Sequence, residues 1–113
     1  MSKTLLILLV MFCALLGSFG QIFFKLASKS FSLSIEGILK NPYFFFGVFL
    51  YGISAILFIF SLKQGELSVL YPVIATSYIF VTFLSFFFFK ESITTYKIFG
   101  VILIVLGVWL ITR

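Results

Sequence analysis

Charge is scarce in this chain. Only 10% of its 113 residues are Asp, Glu, Lys or Arg, against roughly 25% in a soluble globular domain. Histidine and aspartate are absent, and the acids are confined to Glu36, Glu66 and Glu91. Without histidine or a close pair of carboxylates, no nucleophile–base set can be assembled, so an enzyme is not expected. The single Cys13 excludes a disulfide framework, and the lack of His or a second Cys removes the ligands of a metal centre. No cofactor is expected either. Cys13 lies inside an apolar run, where it reads as a small packing residue.

What the chain has instead is apolar surface: 63% of residues are hydrophobic and 21% aromatic, with 18 Phe. A domain of this size has too little interior to hide so many large side chains from water, so lipid must accept them. The net charge of +5 does not point to nucleic acid. Its cations stand singly at the ends of apolar runs, as headgroup anchors do.

Four apolar spans follow, with short connections, in a single domain covering residues 1–113. The first runs from about Thr4 to Phe24 and closes at Lys25. It is not read as a signal peptide, because three more apolar runs follow where a cleavage site and a polar domain should stand. Residues 27–40 form the longest polar interruption. Asn41-Pro42 then opens the second span, about 42–62, with Asn as N-cap and Pro at the first helical position. Lys63-Gln64-Gly65 closes it, with Gly65 in the place of a C-terminal glycine cap. The third span covers about 67–89, with Pro72 near its start placed to free a carbonyl and bend the entry, and the fourth about 95–112. The fold class expected is all-α, an integral membrane bundle of four transmembrane helices, with neighbours antiparallel and both termini on one side. The terminal side carries Lys3, Lys63 and Arg113, the other Lys25, Lys29, Lys40, Lys90 and Lys97. That slight bias favours termini outside the cytoplasm and also permits insertion in both directions, hence an antiparallel pair.

Polar residues inside spans are costly and mark function. Gly17, Gln21 and Lys25 recur at helical spacing with Gly20 beside them, so the first span has one face that does not suit lipid. Gln21 and Lys25 either line a cavity and meet a polar or anionic headgroup, or serve packing and snorkelling. In the third span Tyr71, Tyr78, Thr82 and Ser85 fall within about 60° of one another at 100° per residue, with Ser77 beside them. Tyr51 in the second span is a further candidate for sugar hydroxyls or ring faces. The bland alternative has Ser and Thr bonding back to their own helix and the tyrosines forming an interfacial belt. That explains Tyr71 well and mid-span Tyr78 poorly. Gly100 and Gly107, two turns apart, mark a packing face on the fourth span. Glu91 reads first as a favourable charge at the N-terminus of the fourth helix, with a binding or coupling role as the alternative.

Leu70-Tyr71-Pro72, the segment Tyr78 to Thr82, Lys90-Glu91-Ser92 and the helix from Gly100 to Gly107 resemble the second half of the small four-helix proteins of the drug/metabolite transporter superfamily. Leu15-Leu16-Gly17-Ser18-Phe19-Gly20-Gln21 with Lys25 extends the resemblance to nearly the whole chain. It is most similar to the EamA-like subunits that flip aminoarabinose linked to undecaprenyl phosphate, which carry a comparable Gly-Gln-x3-Lys and Tyr-Pro. The small multidrug resistance family is also similar, but Gly17 stands where its coupling glutamate would be. The resemblance implies a transporter or lipid flippase of the bacterial inner membrane, working by alternating access as a homodimer or as a heterodimer with a paralogous four-helix chain. Its expected partners are membrane lipid and a small-molecule or lipid-linked substrate. The first three helices would line the path, and the fourth would form the dimer seam. An exporter of cationic compounds and a non-transporting accessory subunit remain alternatives.

Overall fold

The computed structural model describes residues 2–113, which fold into helices and short turns with no strand among them. Helix α1 spans Lys3–Ser28, α2 Ile35–Leu39, α3 Pro42–Leu62, α4 Leu67–Ile74, α5 Ser77–Phe89 and α6 Thr95–Ile111. Long apolar helices are what this composition must form in lipid, where every backbone polar group needs a partner within its own segment. α1, α3 and the α4–α5 segment are each long and apolar enough to cross a bilayer. At 17 residues, α6 reaches about 25 Å, the lower limit for a crossing. The chain is an integral membrane helical bundle.

The helix ends follow local chemistry. Ser2 caps α1 by accepting from the Leu5 amide at 3.2 Å. The Asn41 carbonyl oxygen caps α3 through the Phe44 amide at 3.3 Å, while its Nδ2 donates to the Ala27 carbonyl at 3.0 Å. One buried side chain thus starts α3 and ties it to the end of α1. Between them stands α2, a single turn not foreseen from the sequence, capped by Ser34 and braced by a Lys40–Glu36 ion pair of 2.6 Å.

α1 is the hub, packed most extensively on α3 and also on α4 and α5, while α6 rests chiefly on α4. Leu6 and Val10 of α1 meet Leu70 and Val73 of α4 in the one core cluster found among the described residues, with Phe58, Leu62 and Val108 packed around it. Near the other end of α1, backbones approach closely. A Cβ on Gly20 would lie 3.2 Å from the Gly47 carbonyl oxygen and 3.3 Å from the Tyr51 amide nitrogen. The smallness of Gly20 and Gly47 is what lets α1 and α3 meet there.

Two local expectations need correction. The third span is not continuous: it breaks at Ala75–Thr76, where both amides bond three residues back, to Pro72 and Val73, instead of four. Pro72 supplies no amide, and its ring crowds the carbonyl four residues earlier. The ladder gives way just after it, and the Thr76 hydroxyl bonds the Val73 carbonyl at 2.7 Å. Gly65 is not a left-handed cap, since no glycine has positive φ among the described residues. A Cβ there would instead meet Leu6 Cδ2 at 2.8 Å, so Gly65 is small to let the turn sit on the core. The left-handed residue is Lys90, at φ 56°, where the chain leaves α5 with its amide bonded to the Phe86 carbonyl.

The molecule measures 46 × 37 × 19 Å. The helices thus form a slab, much thinner in one direction than in the other two.

Candidate functional site

Three recesses hold the polar residues of the spans. The central one is a cavity of about 190 Å³, several times the roughly 30 Å³ share of a liquid water. α1 supplies Cys13, Ala14, Gly17, Ser18 and Gln21, and α3 supplies Tyr51, Ser54, Ala55 and Phe58. Both sets recur at helical spacing, so each is one face of its helix. Tyr71 and Ile74 come from the end of α4, and Ser77 from the start of α5. The break at Ala75–Thr76 therefore lies in the wall of the cavity.

Hydroxyls in and around this wall divide into two kinds. Ser54 donates to the Cys13 carbonyl at 2.7 Å, tying α3 to α1, and Ser18 donates to the Ala14 carbonyl at 2.7 Å with the Ser77 carbonyl at 3.3 Å. These hydroxyls are spent on the fold, as the bland reading of Ser and Thr expects. The Gln21 amide and the Tyr51 and Tyr71 phenols make no such bond among the described residues, and all three side chains are exposed. Tyr51 is positioned by Phe24, ring centroids 6.0 Å apart, and Tyr71 by Phe58 at 6.4 Å. The cavity thus offers one amide and two phenols to a guest on otherwise apolar walls, the usual make-up of a small-ligand site.

The tyrosine stripe does not stay together. Tyr71 and Ser77 face the central cavity, while Tyr78, Thr82 and Ser85 line a smaller recess of about 80 Å³ with Glu91, Ser92 and Lys97. There the Thr82 hydroxyl bonds back to the Tyr78 carbonyl at 2.6 Å, and Lys97 Nζ donates to the Ser92 carbonyl at 2.7 Å. The third recess, open and about 390 Å³, is formed by Lys25, Lys29, Phe88, Phe89, Lys90 and Glu91. So Gln21 and Lys25, one turn apart on α1, serve different recesses.

Glu91 does not sit at the N-terminus of α6. Thr94 caps that helix by accepting from the Lys97 amide at 3.2 Å, and no acid lies in its first turn. Glu91 stands between the second and third recesses and belongs to both. Gly100 and Gly107 have nothing within 4 Å of a Cβ placed on them, so within one chain they pack against no other helix. Sequence reasoning did not single out Ser18, Ser54 and Phe58, which the structure places in the cavity wall. The spacing Tyr51–Ser54–Phe58 was the available signal on α3, but polarity alone does not separate a wall serine from a packing serine.

Comparison with known proteins fits this arrangement. The profile of the EamA-like transporter family matches residues 2–113. The chain belongs to the EamA-like transporter family. Among its relatives is the probable 4-amino-4-deoxy-L-arabinose-phosphoundecaprenol flippase subunit ArnE of Pseudomonas fluorescens Pf-5, 30% identical over 96% of each chain. An uncharacterized protein, y4nH, of Sinorhizobium fredii is 33% identical over 95% of this chain and 94% of its own. The probable flippase subunit ArnF of Photorhabdus laumondii is 43% identical over a shorter stretch, 56% of this chain and 52% of its own. No solved structure matches. The family and the apolar helices make this a multi-pass membrane protein of a transporter family.

Proposed function

We propose that this EamA-like protein is a subunit of a dimeric transporter or lipid flippase that moves a polar or anionic headgroup across the bacterial cytoplasmic membrane by alternating access. The observation that carries the reading is the intramembrane cavity whose Gln21, Tyr51 and Tyr71 polar atoms are left to a guest. Sequestering such groups at membrane depth is costly unless a polar ligand or water meets them. Gln21, Tyr51, Tyr71 and Ser77 would hold the hydroxyls or ring face of a sugar-like headgroup. Lys25, one turn beyond Gln21, would hold charge, and Tyr78 and Thr82 would line the way on toward Glu91. The names of the ArnE and ArnF relatives support a lipid-linked amino sugar as the substrate class.

A second copy or a paralogous chain completes the path, a reading supported by the thin slab and by the Gly100–Gly107 face of α6, which meets no other helix within the chain. The break at Ala75–Thr76, next to Tyr71 and Ser77, is where the path would switch its opening, since few ladder bonds resist bending there.

Transport of a fluorescent polyprenyl-phosphate-linked amino sugar in proteoliposomes tests this. Gln21→Leu and Lys25→Gln should each lower the rate by roughly tenfold, equivalent to one lost polar contact in the path, at unchanged membrane insertion. Unchanged transport in both variants would overturn the site assignment. Cysteine pairs at Lys3 and Lys97 in a Cys13→Ala background should crosslink between chains if two copies meet antiparallel. If crosslinks form only when the paralogous chain is co-expressed, the partner is that chain.

A further inference from the structure

The recess of Lys25, Lys29 and Lys90 has a chemistry of its own. Lys25 and Lys29 are one turn apart at the end of α1, which continues past Lys25 to Ser28. Lys90 arrives from the other wall, held there by the left-handed backbone at φ 56° that turns the chain out of α5. Lys29 Nζ lies 5.4 Å from the Phe89 ring centroid, which joins the two walls. Three ammonium groups and one carboxylate, Glu91, therefore border one open space. None of the three lysines is within ion-pair distance of Glu91 among the described residues, where the one ion pair is Lys40–Glu36 at the exposed turn α2. Three like charges gathered in a recess at headgroup depth repel one another, and an anion entering between them relieves that repulsion.

From this we infer that the recess is a phosphate-binding site, with Lys25, Lys29 and Lys90 as donors and Glu91 as a built-in competitor that lowers its affinity and lets the anion leave. The ligand is a phosphate group presented at the membrane surface, either on a lipid or free in solution. The inference deepens the proposed function by giving the anionic part of the headgroup a place distinct from the Gln21 cavity, and it rests on that reading for its role in transport.

The test measures phosphatidic acid retained by the full-length protein in phosphatidylcholine nanodiscs, by native mass spectrometry. A Lys25→Gln/Lys29→Gln/Lys90→Gln triple variant should lose roughly tenfold or more of the retained lipid. A charge-matched triple at the opposite end, Lys3→Gln/Lys63→Gln/Arg113→Gln, should keep it, and Glu91→Gln should tighten retention several-fold. Equal loss in the two triples would overturn the site and leave the lysines as general membrane anchors. Unchanged retention in Glu91→Gln would overturn the competitor role. Inorganic phosphate is then titrated in: displacement of the lipid shows that the site reads phosphate itself, and no displacement shows that it requires the lipid-borne group. Gln21→Leu should not alter retention. If retention is unaffected by the lysine triple while Gln21→Leu still lowers transport, the recess fails and the cavity reading stands.

Discussion

The two ends of the molecule are built differently. At the end carrying the chain termini, Leu6, Val10, Leu70 and Val73 close on one another and the Gly65 turn rests on them. Toward the other end, polar recesses replace the core, and α1 and α3 are held by the Gly20–Gly47 approach, the Asn41–Ala27 bond and the Ser54–Cys13 bond. A bundle in lipid gains little from moving an apolar side chain off its lipid face, so close packing and a few polar ties must hold it together. Confining the apolar side-chain core to one end leaves the recesses at the other. The Ala75–Thr76 break lies between the two regimes, just past the core residue Val73 and beside the cavity residue Ser77.

Substitutions at the two ends should separate accordingly. The largest effect is expected from Leu70→Ala, which opens a void in the one core cluster found among the described residues. We expect a loss of about 2 kcal/mol in a detergent or steric-trapping unfolding titration, the low end of the large-to-small range, because a released Leu passes to lipid and not to water. Asn41→Ala removes both the cap of α3 and its tie to α1, and should cost about 1–2 kcal/mol in the same titration. If its cost matched that of an exposed substitution such as Tyr96→Ala, the Asn41 tie would be unimportant. Lys90→Gly should change stability in the opposite direction, by about 1 kcal/mol, since glycine adopts the left-handed backbone without strain. It should also remove one of the three recess cations, so stability would rise while phosphate retention falls. The smallest effect is expected from Ser54→Ala, about 0.6 kcal/mol, the typical worth of one interhelical hydrogen bond in a membrane.

Much of this architecture is written in the sequence. Asn41-Pro42 fixed the start of α3 because the cap and the proline act locally, and the apolar runs set the helices because lipid leaves no alternative. That Gln21 lines a recess was legible, since an amide at span depth has few explanations. Other features depend on tertiary contacts that periodicity does not carry. Where the ladder yields after Pro72 depends on what Leu70, Val73 and Ser77 pack against, and that displaced the expected bend to Ala75–Thr76 and split the tyrosine stripe. Gly65 differs from its expected role for a related reason. Glycine marks a left-handed cap only statistically: here Gly65 rests over Leu6, and the left-handed turn falls at Lys90. Cys13 reads correctly as a packing residue, buried against Ser54, yet its place in the cavity wall has no polar signal at all.

The central claim is that the space between Gln21, Tyr51, Tyr71 and Ser77 is a polar passage and not a gap filled by lipid. Single cysteines at Ser77 and at Phe49, which faces outward at 65% exposure, in a Cys13→Ala background and intact bilayers, put this to a direct test with a membrane-impermeant thiol reagent. Ser77→Cys should be modified and protected when a headgroup analogue is added, while Phe49→Cys should resist the reagent throughout. Equal resistance at both positions would show that the cavity is dry, and would contradict a transport path through it.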